Sequence, residues 1–261
     1  MVDLPPPDLH VRSLTYSLRS GAECDYVDPP PLEFEQQGVK FRLASGELTC
    51  ELMTHCSNVE DARAVVEPIL RAWELDSDLN NRPGEIRFHL RGTDVVDRAP
   101  LPAGVIRGTA YIVQSHPLMA ATGTISVHVT RGKYPAPPPE TFRVNADIEA
   151  LLARYQGYLA GQEPLLSMAY FCLTFIEKKS GSRRDAARQF AIDIRVLQLM
   201  GELSSTRGDR LTARKARAVG KFRPAETKWL ETVVKLLLKR LGDCRPANQL
   251  KQIQMSDLPR L

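Results

Sequence analysis

The chain has 261 residues, of which 43% are hydrophobic and 25% are charged, and its formal net charge is +4 at pH 7. These values exclude a disordered or fibrous protein and provide enough apolar residues for one large or two ordinary globular domains. The small net charge conceals an asymmetry: residues 146–261 carry 21 Lys and Arg against 12 Asp and Glu, whereas residues 1–145 carry 14 against 19. The basic second part therefore suggests a polyanion or an acidic protein surface as its partner.

Three features bear on the cellular location. The longest apolar stretch, residues 165–176, is interrupted by Ser167 and Thr174 and is shorter than the roughly 20 residues that cross a bilayer. The first residues include three consecutive prolines in place of the basic and apolar regions of a secretory signal. Five cysteines without a Cys-x-x-Cys pair are typical of free thiols. We therefore expect a cytoplasmic protein that does not contact a membrane.

The N-terminal part begins with residues 1–36, which are rich in proline and acidic side chains and show no sustained period. They predict an extended arm. Residues 38–43 and 47–56 then alternate between apolar and polar side chains, and Ser45 and Gly46 between them suit the turn of a hairpin.

A helix is predicted after this hairpin, because Asn58 can cap it and apolar residues recur at helical spacing as far as Trp73. Three more strands are predicted over residues 85–91, 105–114 and 122–130. Together these elements predict an antiparallel α+β domain over residues 37–135.

The C-terminal part has a helical pattern. A Pro-rich linker over residues 136–145 leads to a basic helical domain, residues 146–243, and to a C-terminal tail, residues 244–261. Within this domain an almost wholly apolar helix follows Pro164, and a last long helix runs from Pro224 to Gly242. The predicted fold class is therefore α+β: an N-terminal antiparallel sheet with one packed helix, followed by an all-α C-terminal helical domain.

Residues 184–203 have the spacing of a helix-turn-helix, with Ala187 and Ala191 small enough for a close helix crossing. If Asp193 caps the second helix, three side chains project away from its apolar face, namely Arg195, Gln198 and Glu202. Arg and Gln are residue types that can read base edges in a major groove, whereas Glu202 would repel phosphate. Three arginines before the turn would then hold phosphates, namely Arg183, Arg184 and Arg188. The alternative is a pair of ordinary core helices with a solvated outer face.

A second candidate is the segment 204–223, which is rich in arginine and lysine and can order on a phosphate backbone. The alternative is an exposed, solvated connection between two helices. The predicted nucleic-acid-binding residues of both candidates are Arg183, Arg184, Arg188, Arg195, Gln198, Arg207, Arg210, Arg214, Lys215, Arg217, Lys221 and Arg223.

The basic helical domain with its central apolar helix resembles the HEPN (higher eukaryotes and prokaryotes nucleotide-binding) group of helical bundles, many of which are ribonucleases. Active members of that group carry an Arg and, several residues later, a His on one helix. All five histidines of this chain lie within the first 135 residues, namely His10, His55, His89, His116 and His128. The resemblance therefore implies a relative without ribonuclease activity, such as the helical domain of a toxin or defence system.

No catalytic, metal or cofactor motif is present in the sequence, so we expect a non-enzymatic protein without a cofactor. Its basic domain is predicted to bind nucleic acid or an acidic protein surface. A nucleic-acid enzyme is the first alternative. A structural interaction protein is the second, for example a homo-oligomer joined through Trp73 or Trp229. The acidic and basic halves could also neutralise each other by docking together.

Overall fold

A computed structural model describes residues 6–21, 24–81, 83–100, 110–113, 129–207 and 222–261. The chain divides into two compact units, Met1–Glu140 and Thr141–Leu261, which we call unit 1 and unit 2. No helix in the described ranges is long and apolar enough to cross a membrane.

Unit 1 is built around an antiparallel sheet and one long helix. Its elements are β1 Leu9–Arg19, β2 Cys24–Tyr26, β3 Leu32–Gln36, β4 Val39–Ala44, β5 Glu47–Leu52, α1 Val59–Asn80, β6 Arg87–Asp97, β7 Ala110–Val113 and β8 Val129–Arg131. The main sheet has the strand order β3-β4-β5-β1-β6-β7, while β2 and β8 form a separate parallel pair. The mixed α+β class predicted from the sequence is thus confirmed.

The predicted hairpin is present as β4 and β5. Ser45 and Gly46 form its turn with φ values of 51° and 75°, the left-handed conformation that two-residue hairpin turns require. Every second residue of both strands points into the core, as Phe41 and Cys50 do. Local turn chemistry and period-two alternation were therefore sufficient to predict this element.

The prediction of an extended N-terminal arm over residues 1–36 is wrong. β1 lies inside the sheet, paired with β5 on one side and with β6 on the other, and β3 at residues 32–36 forms a sheet edge. Two irregularities in the β1–β6 pairing, between Val11 and Ser13 and between Thr15 and Tyr16, interrupt the alternation of buried and exposed side chains. These breaks remove the period-two signal that identifies a strand in a sequence.

Helix α1 packs on the sheet through Trp73, which is fully buried. Asn58 caps the helix, its side chain accepting the backbone N–H of Asp61 at 2.8 Å. The Trp73 ring meets Phe34 edge-on with a centroid distance of 5.3 Å, and its Nε1–H donates to the carbonyl of Pro135 at 3.1 Å. Trp73 therefore joins helix, sheet and the proline-rich segment.

Unit 2 contains five α-helices among its described residues. They are α2 Ala146–Leu159, α3 Leu165–Ser180, α4 Arg183–Gln189, α5 Ile194–Thr206 and α6 Pro224–Gly242. The predicted bounds of α6 are confirmed. Trp229 of α6 is fully buried, as Trp73 is in unit 1. The hypothesis of an oligomer joined through either tryptophan is therefore wrong, because neither ring is accessible.

The C-terminal residues 244–261 pack on unit 2, and we call them the C-terminal strap. Three apolar side chains of the strap are buried, Leu250, Ile253 and Leu258. Ile253 also pairs with the backbone at Ile192, between α4 and α5. The segment predicted as a tail is thus part of the fold of unit 2.

Candidate nucleic-acid interface

The two helices expected over residues 184–203 are present as α4 and α5, joined by the four-residue turn 190–193. Ser182 caps α4 by accepting the backbone N–H of Asp185 at 3.1 Å. The chain reverses at Ala191, whose φ of 49° lies in the left-handed region. Asp193 then caps α5 by accepting the N–H of Arg195 at 2.9 Å. Each boundary therefore has an identifiable local cause.

Helix α5 has one buried and one exposed face. It packs, together with α4, against α3, and its buried residues include Val196, Leu197, Met200 and Leu203. Arg195, Gln198 and Glu202 are exposed, at the spacing that places them along one side of the helix. The outward direction predicted for Arg195 and Gln198 is thus confirmed.

Arginines of both helices meet at an open groove of about 1030 Å³, which lies between the α4–α5 turn and the C-terminal strap. Arg184 and Arg188 of α4 and Arg195 of α5 line it. The strap contributes Asn248 and Gln252, and the apolar lining is formed by Ala187, Ala191, Ile192, Ile194, Ala247 and Leu250. The strap side of this groove was not predicted, because no periodic signal connects residues 247–252 with residues 184–195.

Two of the groove arginines have acidic partners. Arg188 pairs with Asp185, and its side chain remains 81% exposed. Arg195 donates to both carboxylate oxygens of Asp193, through Nε at 3.1 and 3.0 Å and through Nη2 at 2.5 Å, and remains 71% exposed. A guanidinium has five N–H donors, so one carboxylate partner leaves other donors available to a ligand. Arg184 is exposed and has no acidic partner among the described residues.

Both acidic partners remain ionised at neutral pH. Hydrogen bonds from Ser182 and Arg188 lower the pKa of Asp185, and those from the side chain and backbone of Arg195 lower the pKa of Asp193. The two carboxylates therefore offset two of the three positive charges at the groove. Local geometry, rather than a large excess of charge, has to account for any specific anion binding here.

Arg183 has a different position from its neighbours. Its Nε donates to Glu177 at 2.5 Å, and its guanidinium lies over Gly201, where an added Cβ would come within 3.0 Å of Nη2. Arg183 therefore connects α3, α4 and α5 inside unit 2. Arg183 is therefore not one of the arginines that line the groove.

Arg207 and Arg223 are also engaged within unit 2. Both donate to Glu226 at 3.1 Å, and the backbone N–H of Arg223 reaches the same carboxylate at 2.9 Å. Burial alone would raise the pKa of Glu226, but the hydrogen bonds from Arg223 and Arg207 outweigh it and the pKa is lowered. Five predicted residues lie outside the described ranges, namely Arg210, Arg214, Lys215, Arg217 and Lys221.

The position of Glu226 beside Arg223 was not predicted, although the sequence contains a signal for it. Glu226 stands at the third position of α6, after Arg223 and Pro224, and its side chain accepts the cap residue's N–H as in a capping box. That pattern predicts a carboxylate folded back onto the residue before the helix. It concerns the backbone N–H of Arg223, while the guanidinium of this residue stays 65% exposed.

Compared with known proteins, the chain matches no family model, no curated protein and no solved structure. Within the described ranges, no group of three or more His, Cys, Asp or Glu side chains could hold a metal ion. The groove beside α4 and α5 is therefore interpreted from its own geometry.

Proposed function

We propose that unit 2 binds duplex DNA without acting on it, with the first turns of α5 in the major groove. The observation that supports this most directly is the convergence of Arg184, Arg188 and Arg195 on one open groove beside the exposed face of α5. Arg and Gln donate to purine edges, which suits Arg195 and Gln198. Arg184 and Arg188 then bind phosphates.

The choice of duplex DNA follows from the shape of the two double helices. The major groove of B-DNA is about 12 Å wide and admits an α-helix. The major groove of A-form RNA is too narrow and deep for side chains to read its bases. An exposed helix face that carries Arg195 and Gln198 is therefore better suited to DNA than to duplex RNA.

Asp193 has a role in this proposal as a positioning residue. Its carboxylate accepts one edge of the Arg195 guanidinium, through Nε and Nη2, which leaves the Nη1 group and the far hydrogen of Nη2 free. Two N–H groups on that free edge match the O6 and N7 acceptors of guanine. The ion pair thus holds Arg195 ready for a bidentate base contact.

The test is binding of the full chain to a labelled DNA duplex, followed by fluorescence anisotropy over a range of salt concentrations. We expect the logarithm of the affinity to fall linearly with the logarithm of the salt concentration. The double variant Arg184→Ala/Arg188→Ala should bind more weakly and reduce the slope by about 2, because each phosphate contact contributes about 0.9.

The matched control is Lys228→Ala/Lys235→Ala, which removes the same charge from α6, outside the groove. It should leave the slope almost unchanged. Equal losses in the two double variants would show that overall charge, and not this groove, binds DNA. Cleavage of single-stranded RNA would overturn the proposal in favour of a nucleic-acid enzyme, and tighter binding to it without cleavage would overturn it in favour of an RNA-binding protein. Salt-insensitive or absent binding would leave an acidic protein surface as the better partner.

A further inference from the structure

We infer that the C-terminal strap is part of the DNA-binding surface, with the side-chain amides of Asn248 and Gln252 donating hydrogen bonds to the phosphate backbone. This inference rests on the proposed function of unit 2. It assigns a binding role to residues 248 and 252, which no pattern in the sequence indicated.

The strap is held at a defined place beside the α4–α5 turn. The N–H of Ile253 donates to the carbonyl of Ala191 at 2.9 Å, and the N–H of Asp193 donates to the carbonyl of Ile253 at 2.8 Å. The Arg240 guanidinium also donates to the carbonyl of Lys251. These bonds, together with the buried Ile253 side chain, fix the strap backbone on both sides of Gln252.

Asn248 and Gln252 are the polar residues that the strap presents to the groove. Both are exposed and line the same groove as Arg184 and Arg188. Neither side chain has a hydrogen-bond partner among the residues that the structure describes. An amide –NH₂ group is one of the common side-chain donors to phosphate oxygens in DNA complexes.

Once Asp185 and Asp193 are counted against the three arginines at the groove, its side chains keep one net positive charge. Three of the lining side chains are cationic, Arg184, Arg188 and Arg195, and one is anionic, Asp193. Because Arg195 also belongs to the exposed face of α5, an anion in the groove would lie next to the helix that enters the major groove. The backbone of one DNA strand is anionic and borders the major groove that α5 enters. It therefore fits this groove, with arginines on one side of it and neutral amides on the other.

The neutrality of the amides makes their contribution measurable apart from that of the arginines. Loss of one hydrogen bond from a neutral amide to a charged phosphate oxygen weakens binding by about tenfold. Removal of a neutral donor does not change the number of counterions released, so the salt slope stays the same. Loss of a phosphate contact also weakens binding to every sequence about equally.

The experiment compares Asn248→Ala/Gln252→Ala with the unaltered full chain by anisotropy, on two duplexes of different sequence and over a range of salt. We expect about a hundredfold loss of affinity on both duplexes, about tenfold for each of the two hydrogen bonds, with an unchanged salt slope and an unchanged unfolding temperature. Gln249→Ala is the control, since Gln249 is an exposed neighbour that does not line the groove. It should bind as the unaltered chain does.

The outcomes separate this inference from the proposed function. If Arg184→Ala/Arg188→Ala weakens binding while Asn248→Ala/Gln252→Ala does not, the role of the strap is wrong and the proposed function stands. A loss that depends on the duplex sequence would overturn the phosphate assignment, because it would indicate base contacts. Absence of duplex DNA binding by the unaltered chain would overturn both.

Discussion

One arginine–carboxylate pair in unit 1 and one in unit 2 differ in how far the arginine is exposed. In unit 1, Asp78 is 1% exposed and accepts two hydrogen bonds from Arg87, at 3.0 and 2.7 Å, and one from the N–H of Gly84 at 2.8 Å. In unit 2, Asp193 holds Arg195 while the arginine side chain stays 71% exposed. The Asp78–Arg87 pair thus lies largely inside the fold, whereas the Asp193–Arg195 pair leaves its arginine on the accessible surface.

The difference shows that the number of arginines in a segment does not measure its capacity for ligand binding. A buried carboxylate has to be satisfied by hydrogen bonds, so it engages some of the donors of the arginine that pairs with it. Within unit 2, Glu226 shows the same effect on Arg207, whose side chain is only 27% exposed, whereas Arg223 donates to Glu226 through one Nη group and stays 65% exposed. The arginines that remain available to a ligand are those whose guanidinium groups are exposed to solvent.

The largest predicted effect is on the buried pair. Asp78→Ala should destabilise unit 1 by about 3 kcal/mol, because it leaves the half-buried Arg87 and the Gly84 N–H without their partner. Urea unfolding measures the loss. Glu67→Ala is the control in the same helix; its exposed pair with Arg63 should contribute no more than about 0.5 kcal/mol. Similar losses for both variants would contradict the distinction between buried and exposed pairs.

The second prediction compares two exposed arginines with the same local geometry. Arg245 pairs with Asp243 as Arg195 does with Asp193, through Nε at 2.9 and 3.2 Å and Nη2 at 2.5 Å. Arg195→Ala should weaken DNA binding about tenfold, the value of one base contact, whereas Arg245→Ala should not. Anisotropy titration of the two variants provides the measurement. An equal loss would mean that α5 has no special role.

The third prediction concerns pH and again separates the two units. His10 is buried and accepts the N–H of Cys56 through Nδ1 at 3.3 Å. Burial, with the charges of Arg98 and His55, lowers the pKa of His10 below its ordinary value of 6.5. The unfolded chain therefore takes up a proton near pH 6.5 while the folded chain does not, so unit 1 loses stability as the pH falls below about 7.

Unit 2 has no histidine, so its stability should change little between pH 7.5 and pH 5.5. These two values lie about one unit on either side of 6.5, the ordinary pKa of histidine. Hydrogen exchange measured by mass spectrometry, corrected for intrinsic rates, can compare peptides of β1 with peptides of α6. In His10→Asn, a side-chain oxygen can still accept the Cys56 N–H but does not titrate. The variant should remove the pH dependence of β1; persistence of that dependence would assign it to another group.

The smallest predicted effect tests the positioning role of Asp193. Asn at this position still caps a helix but lacks the negative charge that holds the Arg195 guanidinium. We expect Asp193→Asn to reduce the preference between two duplexes that differ at the contacted base pair by a few fold, because Arg195 is less preorganised. Competition between the two duplexes measures this. An unchanged preference would show that Asp193 acts only as a cap.

Several elements could be predicted because their signals are local. Ser45 and Gly46 form the predicted turn, Asn58 caps the predicted helix, and the last long helix runs from Pro224 to Gly242. The exposed positions of Arg195 and Gln198 followed from helical periodicity. In each case, the residues that decide the conformation lie only a few positions apart in the sequence.

β1 and the groove could not be predicted in this way. Two pairing irregularities interrupt the alternation of buried and exposed side chains along β1. The strands that pair with β1 and stabilise it, β5 and β6, come tens of residues later in the chain. The strap likewise reaches the α4–α5 turn through a bond between Ile253 and Ala191. Neither relationship leaves a periodic signal, because the partners are distant in the sequence.

The sequence by itself determined the two-part organisation of secondary structure, the caps and turns, and the charge difference between residues 1–145 and 146–261. These depend on composition and on interactions between near neighbours. Only the tertiary structure decided which charges are accessible. It directed Arg207 onto buried Glu226 and left Arg184, Arg188 and Arg195 around a groove with the strap. The physical reason is that a buried carboxylate requires partners, and packing determines which carboxylates are buried.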